Sequence, residues 1–346
     1  MRRRISASTS AMRAWMSAVA STKTGYQRGA SWTSGVRTAR PASRSPPAWT
    51  APERGTRPLR RHRLVRRHGP AGCVGGLRAG DFGSNAMYPS VVPAPRLYKT
   101  TAIVLSRFEL GEADRVLTVL TPHDGKLRLI AKGVRRPRSR LGGALEPFAE
   151  LHLVLARGRT FDVVTQASVG QAWLRLRDRL DSAAAAWYLG ELAQRSTEEH
   201  AGLAAQPIYA LLRRGLQLLD DGMAPGRVAR WYEFGLADAL GVRPEVERCV
   251  ECDHVLEADE TFRWVPALGG VLCPRHPGPP AESVGLSLEA LKLLRAYRRL
   301  DVEALAALRL PIRMEAELAD AMRRYMRHVL EREPRSLAFL EEVQAG

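Results

Sequence analysis

Two hydrophobic rhythms divide the chain. Short runs at 98–107, 114–121, 126–133, 148–156 and 161–169 alternate or are continuously apolar, which predicts β-strands. Residues Val116 to Thr121 are β-branched or apolar on both faces, the pattern of a central strand covered from two sides. From Lys126 to Lys132 the rhythm alternates: Leu127, Leu129 and Ala131 share one face, Lys126, Arg128 and Lys132 the other. Pro122 and Gly125 supply turn chemistry between these two strands, and Arg157-Gly158-Arg159 reads as the hairpin turn joining the last two. Five short strands with no long helix between them predict a small closed barrel. The five-stranded oligonucleotide-binding barrel has this size.

After Gln171 the period becomes helical. Ile208, Leu211, Leu212, Gly215, Leu216 and Leu219 stripe one face of a helix that ends at Gly222. Further helices are predicted around 180–197 and 226–240, from an N-cap at Ser287, and over 314–329. The expected fold is therefore α+β: an oligonucleotide-binding barrel over 95–172, then an α-helical bundle over 173–346 holding an inserted zinc-ribbon-like module at 245–280.

Charge changes the picture of the first quarter. The 346-residue chain has a formal charge of +17, but residues 1–86 carry 17 Lys/Arg against two acids. Arg, Ser, Ala, Gly and Pro dominate there without periodicity, so residues 1–90 are expected to be a disordered leader. A secretory signal fits poorly because its apolar core is short and broken at Ser17, and a transit peptide fits the composition better. The preferred expectation is that Met87 is an alternative start and the leader is not native. In the remainder, 87–170 has 13 Lys/Arg against 7 acids, whereas 171–346 has 23 against 27. The basic character belongs to the predicted barrel. No run reaches the roughly 18 apolar residues of a membrane span, so a cytoplasmic protein is expected.

Seven of the barrel's cations stand close together: Lys126, Arg128, Lys132, Arg135, Arg136, Arg138 and Arg140. A cationic strand face running into a cationic loop suits a phosphate backbone, and these seven are the candidate DNA-binding residues. Phe108, Phe148 and Phe161 could stack on bases, although core packing is their commoner use. Glu112 and Asp114, beside Arg115, look like turn and ion-pair residues.

Three of the four cysteines lie within 25 residues, in the pattern Cys249-x2-Cys252-x20-Cys273-x2-His276. Two such knuckles can close a tetrahedron around Zn²⁺, and the segment 261–272 between them reads as a hairpin that brings the second back to the first. Four protein ligands leave no open coordination position, so the zinc is expected to be structural. Phosphate-loop, nucleophile-elbow and HExxH motifs do not occur, and no catalytic constellation stands out, so no enzymatic activity is expected.

Leu110-Gly-Glu-Ala-Asp-Arg115, Gly133-Val-Arg-Arg136 and Leu145-Glu-Pro-Phe148, followed by a helical region split by a cysteine module, resemble the bacterial recombination and repair mediator family RecO over about residues 97–343. The resemblance implies an N-terminal oligonucleotide-binding barrel, a helical C-terminal domain and a zinc module. It also implies binding of single- and double-stranded DNA at the nucleoid, strand annealing, and work with RecR and single-stranded-DNA-binding protein to load RecA. Arg213 and Arg214 are candidate acceptors for that protein's acidic tail. The family's usual fourth cysteine ligand is His276 here. The alternative reading is an RNA- or transcription-associated protein with a barrel and zinc ribbon, and a zinc hydrolase stands third.

Overall fold

The computed structural model describes residues 96–137, 139, 141–258, 261–276, 280 and 282–345. The expected leader and its alternative start lie outside them, as do Arg138 and Arg140.

Five strands form a closed barrel: β1 (Leu97–Leu110), β2 (Asp114–Thr121), β3 (Gly125–Ala131), β4 (Glu150–Ala156) and β5 (Asp162–Gln171), in the order β1-β2-β3-β5-β4. Pairing is antiparallel except between β3 and β5, and β1 closes the ring by pairing with β4. β2 lies between β1 and β3, as its two-sided apolar pattern predicts. Ala102, Val104, Leu117, Val119, Leu127, Leu129 and Ala131 fill the barrel. Ile103, Leu105 and Leu120 face out of it into the core of the helical part. That division explains why the first two strands are apolar on both faces.

The helical part comprises α1 (Leu174–Asp178), α2 (Leu180–Ser196), α3 (Gln206–Asp220), α4 (Pro225–Ala239), α5 (Leu288–Arg299), α6 (Val302–Ala307), α7 (Ile312–Val329) and α8 (Arg335–Ala345). Ser287 caps α5 as expected, its side chain accepting from the N–H of Ala290. Between α4 and α5 stands a small sheet of β6 (Phe262–Val265), β7 (Gly270–Leu272) and β8 (Val284–Leu286), in the order β7-β6-β8. The hairpin predicted over 261–272 is β6–β7, and β8 is an additional strand.

Polar and aromatic contacts also interlock barrel and bundle. Phe148 is buried and meets Trp187 edge-on at 4.8 Å. It fits because residue 190 on α2 is glycine: a Cβ there would stand 2.7 Å from the Phe148 ring. Glu150 of β4 accepts from Tyr209 Oη at 2.6 Å and Arg213 Nε at 2.9 Å, both on α3. At the edge of β3, the backbone of Lys126 donates to Glu198 O and accepts from His200 N, so the segment after α2 continues the ladder.

Candidate nucleic-acid interface and metal centre

The five described members of the predicted cationic set do not share one fate. Leu127, Leu129 and Ala131 point into the barrel, so the even-numbered side chains of β3 point outward. The first residue of that outer face, Lys126, is overlain by the end of α2 and the segment after it. Lys126 is partly buried and donates to the carbonyl of Gln194 at 2.9 Å. Burial pulls its ammonium below the usual lysine value, with Glu199 opposing and Arg128 adding to the effect. Arg128 pairs with Glu199 at 2.9 Å. Arg128 is nonetheless exposed, and past the end of β3 Lys132, Arg135 and Arg136 are exposed as well.

Their loop is held from the β1–β2 turn. Asp114 Oδ1 accepts from Gly133 N at 2.7 Å, the N–H of Arg135 donates to Ala113 O at 3.0 Å, and Arg135 reaches Glu109 at 3.3 Å. Asp114 therefore bonds a backbone N–H in the neighbouring loop, where the sequence suggested an ion pair with Arg115. The aromatic candidates divide too. Phe148 is core, while Phe108 and Phe161 are partly exposed. Arg213 and Arg214, expected to receive an acidic peptide, pair within the chain with Glu150 and Glu303.

The metal ligands converge as their spacing predicts. The donor atoms of Cys249, Cys252, Cys273 and His276 all lie within 4.8 Å of one another. Cys252 Sγ and Cys273 Sγ are 3.7 Å apart, and Cys249 Sγ is 3.5 Å from His276 Nε2. Edges of a tetrahedron with bonds of about 2.0–2.3 Å measure roughly 3.3–3.8 Å, so the donor set fits Zn²⁺. Backbone pairing builds the site. Cys249 N donates to His254 O at 2.8 Å, with Asp253 left-handed at φ 57°, which folds the first knuckle. Val250 N then donates to Val271 O at 3.0 Å and carries that knuckle to the strand leading into Cys273.

Burial acts against the Cys249 thiolate, but hydrogen bonds from the N–H groups of Cys273, Cys252 and Glu251 outweigh it and bring the thiol to about 6. Burial pushes Cys273 up to about 11. His276 turns Nδ1 toward Glu251 Oε2 at 3.8 Å, which leaves Nε2 for the cluster.

Residues 96–173 match the family model described as Recombination protein O N terminal, and residues 177–338 match Recombination protein O C terminal. The curated DNA repair protein RecO of Roseiflexus sp. (strain RS-1) is 41% identical over 249 residues, spanning 72% of this chain and 87% of its own length. The chain belongs to the RecO family. RecO proteins of Desulforudis audaxviator (strain MP104C) and Dehalococcoides mccartyi (strain CBDB1) are 38% and 33% identical over 250 residues, each covered over 97% of its length. All three relatives are named DNA repair proteins.

The three sequence signatures of RecO resemblance meet at one end of the barrel. Arg107 pairs with Glu146 and also reaches Leu145 O, while Arg177 at the start of the bundle donates to Pro147 O at 2.9 Å. Arg115 lies among Arg107, Arg135, Glu109 and Glu146. Sequence reasoning did not group Arg107, Arg115 and Arg177 with the candidate DNA-binding residues because they lie far apart along the chain, and Arg177 sits in a mixed run with Arg175, Asp178 and Arg179. Closing the barrel brings Arg107 and Arg135 beside Arg115, and docking the bundle brings Arg177 beside Arg107. Among the described residues, no helix is long and apolar enough to cross a membrane.

Proposed function

We propose that this RecO-family chain is a DNA repair and recombination mediator that binds single- and double-stranded DNA without cleaving it. On this reading it anneals complementary strands and, with RecR, helps load RecA onto DNA coated by single-stranded-DNA-binding protein. Its site of action is the nucleoid, in the cytoplasm. One observation carries the DNA-binding part: Lys132, Arg135 and Arg136 stand exposed together on a loop pinned by Asp114, beyond the point where the bundle covers β3. Cations held on a rigid loop screen the phosphates of a bound strand, and screening lets a second strand approach. The acids nearest that loop support a non-enzymatic role, because Asp114, Glu109 and Glu146 are engaged in a hydrogen bond or ion pairs.

The ion in the Cys3His cluster is proposed to be zinc, held by Cys249, Cys252, Cys273 and His276. It would supply a fixed tetrahedral crosslink between the two knuckles.

Affinity of the full chain for a labelled single-stranded oligonucleotide, measured at two salt concentrations, tests the proposal. Replacing Lys132, Arg135 and Arg136 together by Ala should weaken binding at least tenfold and flatten the salt dependence. Replacing Lys126, which the bundle covers, should leave the salt slope near that of the unmodified chain. Unchanged affinity and slope in the triple variant would overturn the assignment. Preference for a ribo-oligonucleotide competitor would favour an RNA-binding role instead.

A further inference from the structure

The end of the barrel where the signatures meet holds more positive charge than its own acids neutralise. Four guanidinium groups, of Arg107, Arg115, Arg135 and Arg177, gather around two carboxylates, Glu109 and Glu146. Both carboxylates have partners: Glu146 pairs with Arg107, and Glu109 with Arg135. Arg177 is taken by a backbone carbonyl. Arg115 remains. Its side chain is half-buried, and its Nε lies buried without a hydrogen-bond acceptor among the described residues.

An unpaired buried donor is destabilising, and here the donor is also charged and beside like charges. Burial, then Arg107 and also Arg135, pull Arg115 below the usual arginine value, with Glu146 and Glu109 opposing. A water molecule could satisfy the N–H but not the charge. An oxyanion satisfies both, and the planar guanidinium fork matches a phosphate better than any other side chain does. The exposed Lys132 and Arg136 lie on the loop that Asp114, the residue before Arg115, holds through the N–H of Gly133, so a backbone crossing that loop comes to this end of the barrel.

We propose that Arg115, flanked by Arg107 and Arg135, is a phosphate-holding site that seats one phosphodiester of the bound single-stranded DNA. The site rests on the DNA-binding reading above and deepens it. Lys132 and Arg136 attract the strand, and Arg115 fixes its position. A lysine keeps the charge but lacks the planar fork.

The test uses two readouts on the full-length chain. In the first, the Arg Nε–H resonances are followed by NMR during titration with a single-stranded oligonucleotide and, separately, with inorganic phosphate; Arg115→Lys identifies the Arg115 signal. The proposal expects that signal to shift and saturate with the oligonucleotide. In the second, Arg115→Gln should weaken oligonucleotide binding about tenfold and lower the salt slope by about 0.7, the value of one single-strand phosphate. Arg115→Lys should lose several-fold in affinity with its slope kept. A chain that binds DNA through Lys132 and Arg136 while the Arg115 signal stays still and Arg115→Gln binds normally would overturn this site and leave the DNA-binding reading intact. A signal that moves with phosphate in a chain that fails to bind DNA would retain an anion site and overturn both the phosphodiester assignment and the DNA-binding reading.

Discussion

The carboxylate of Asp114 accepts a hydrogen bond from the backbone N–H of Gly133 at 2.7 Å, joining the turn after β1 to the loop after β3. One short side chain thus sets where Lys132, Arg135 and Arg136 stand.

Asp114→Ala should free that loop. The stranded N–H and the loosened loop are expected to cost about 1–3 kcal/mol in urea denaturation and several-fold in single-strand affinity. Asp114→Asn keeps an acceptor at Oδ1 and should stay within about 1 kcal/mol of the unmodified chain. Equal losses in both variants would show that the charge, and not the acceptor, matters.

Gly190 tests the join between barrel and bundle. In Gly190→Ala the new methyl would stand 2.7 Å from the Phe148 ring, which is boxed in by Trp187. Overpacking of this kind costs about 1–3 kcal/mol. Adding Phe148→Leu should recover part of the loss, a coupling readable in a double-mutant cycle. Strictly additive effects would mean that the two positions do not touch.

Metal analysis should find one zinc per chain. His276→Ala and Cys273→Ala should each lose it and become sensitive to proteolysis around 245–280, whereas His276→Cys, a competent fourth ligand, should retain it. Glu251→Gln should bind zinc but release it to a chelator about tenfold faster, because the Nδ1 side of His276 loses its carboxylate. Retention of zinc by both ligand-deletion variants would sink the assignment.

Glu191 on α2 receives the N–H groups of Arg335 and Ser336 and the Ser336 hydroxyl, and so holds the start of α8. Burial raises its pKa, but the Ser336 and Arg335 hydrogen bonds and Arg195 outweigh it, so the carboxyl sits below the usual range. A depressed carboxyl contributes stability above its unfolded value, about 4.3, and loses it as pH falls through the folded value. Amide exchange in α8 should therefore accelerate on acidification below about pH 4. In Glu191→Gln the exchange should already be faster at neutral pH, by the equivalent of about 1–2 kcal/mol, with little further change in acid.

Much of the architecture was legible before any coordinates. The five strands, the longer helices and the metal cluster depend on neighbours a few residues apart, through alternation, helical striping and x2 spacing. Elements escaped notice mostly where that local signal is short: α1 and α6 have five and six residues and β8 has three, while α8, with eleven, was missed as well. The DNA-binding set was only partly legible. Lys126 in β3 and Lys132 just past its end share one face of the predicted strand, and nothing near them in the chain reveals that residues 194–200 cover the first and spare the second.

Periodicity and ligand spacing sufficed for the barrel, the bundle and the Cys3His cluster, because each follows from backbone geometry repeated over adjacent residues. Which cations face solvent, and that Arg107, Arg115, Arg135 and Arg177 form one charged group, followed from closing the barrel and docking the bundle. Burial and Coulomb coupling act between residues near in space, and these four span 70 positions of the chain.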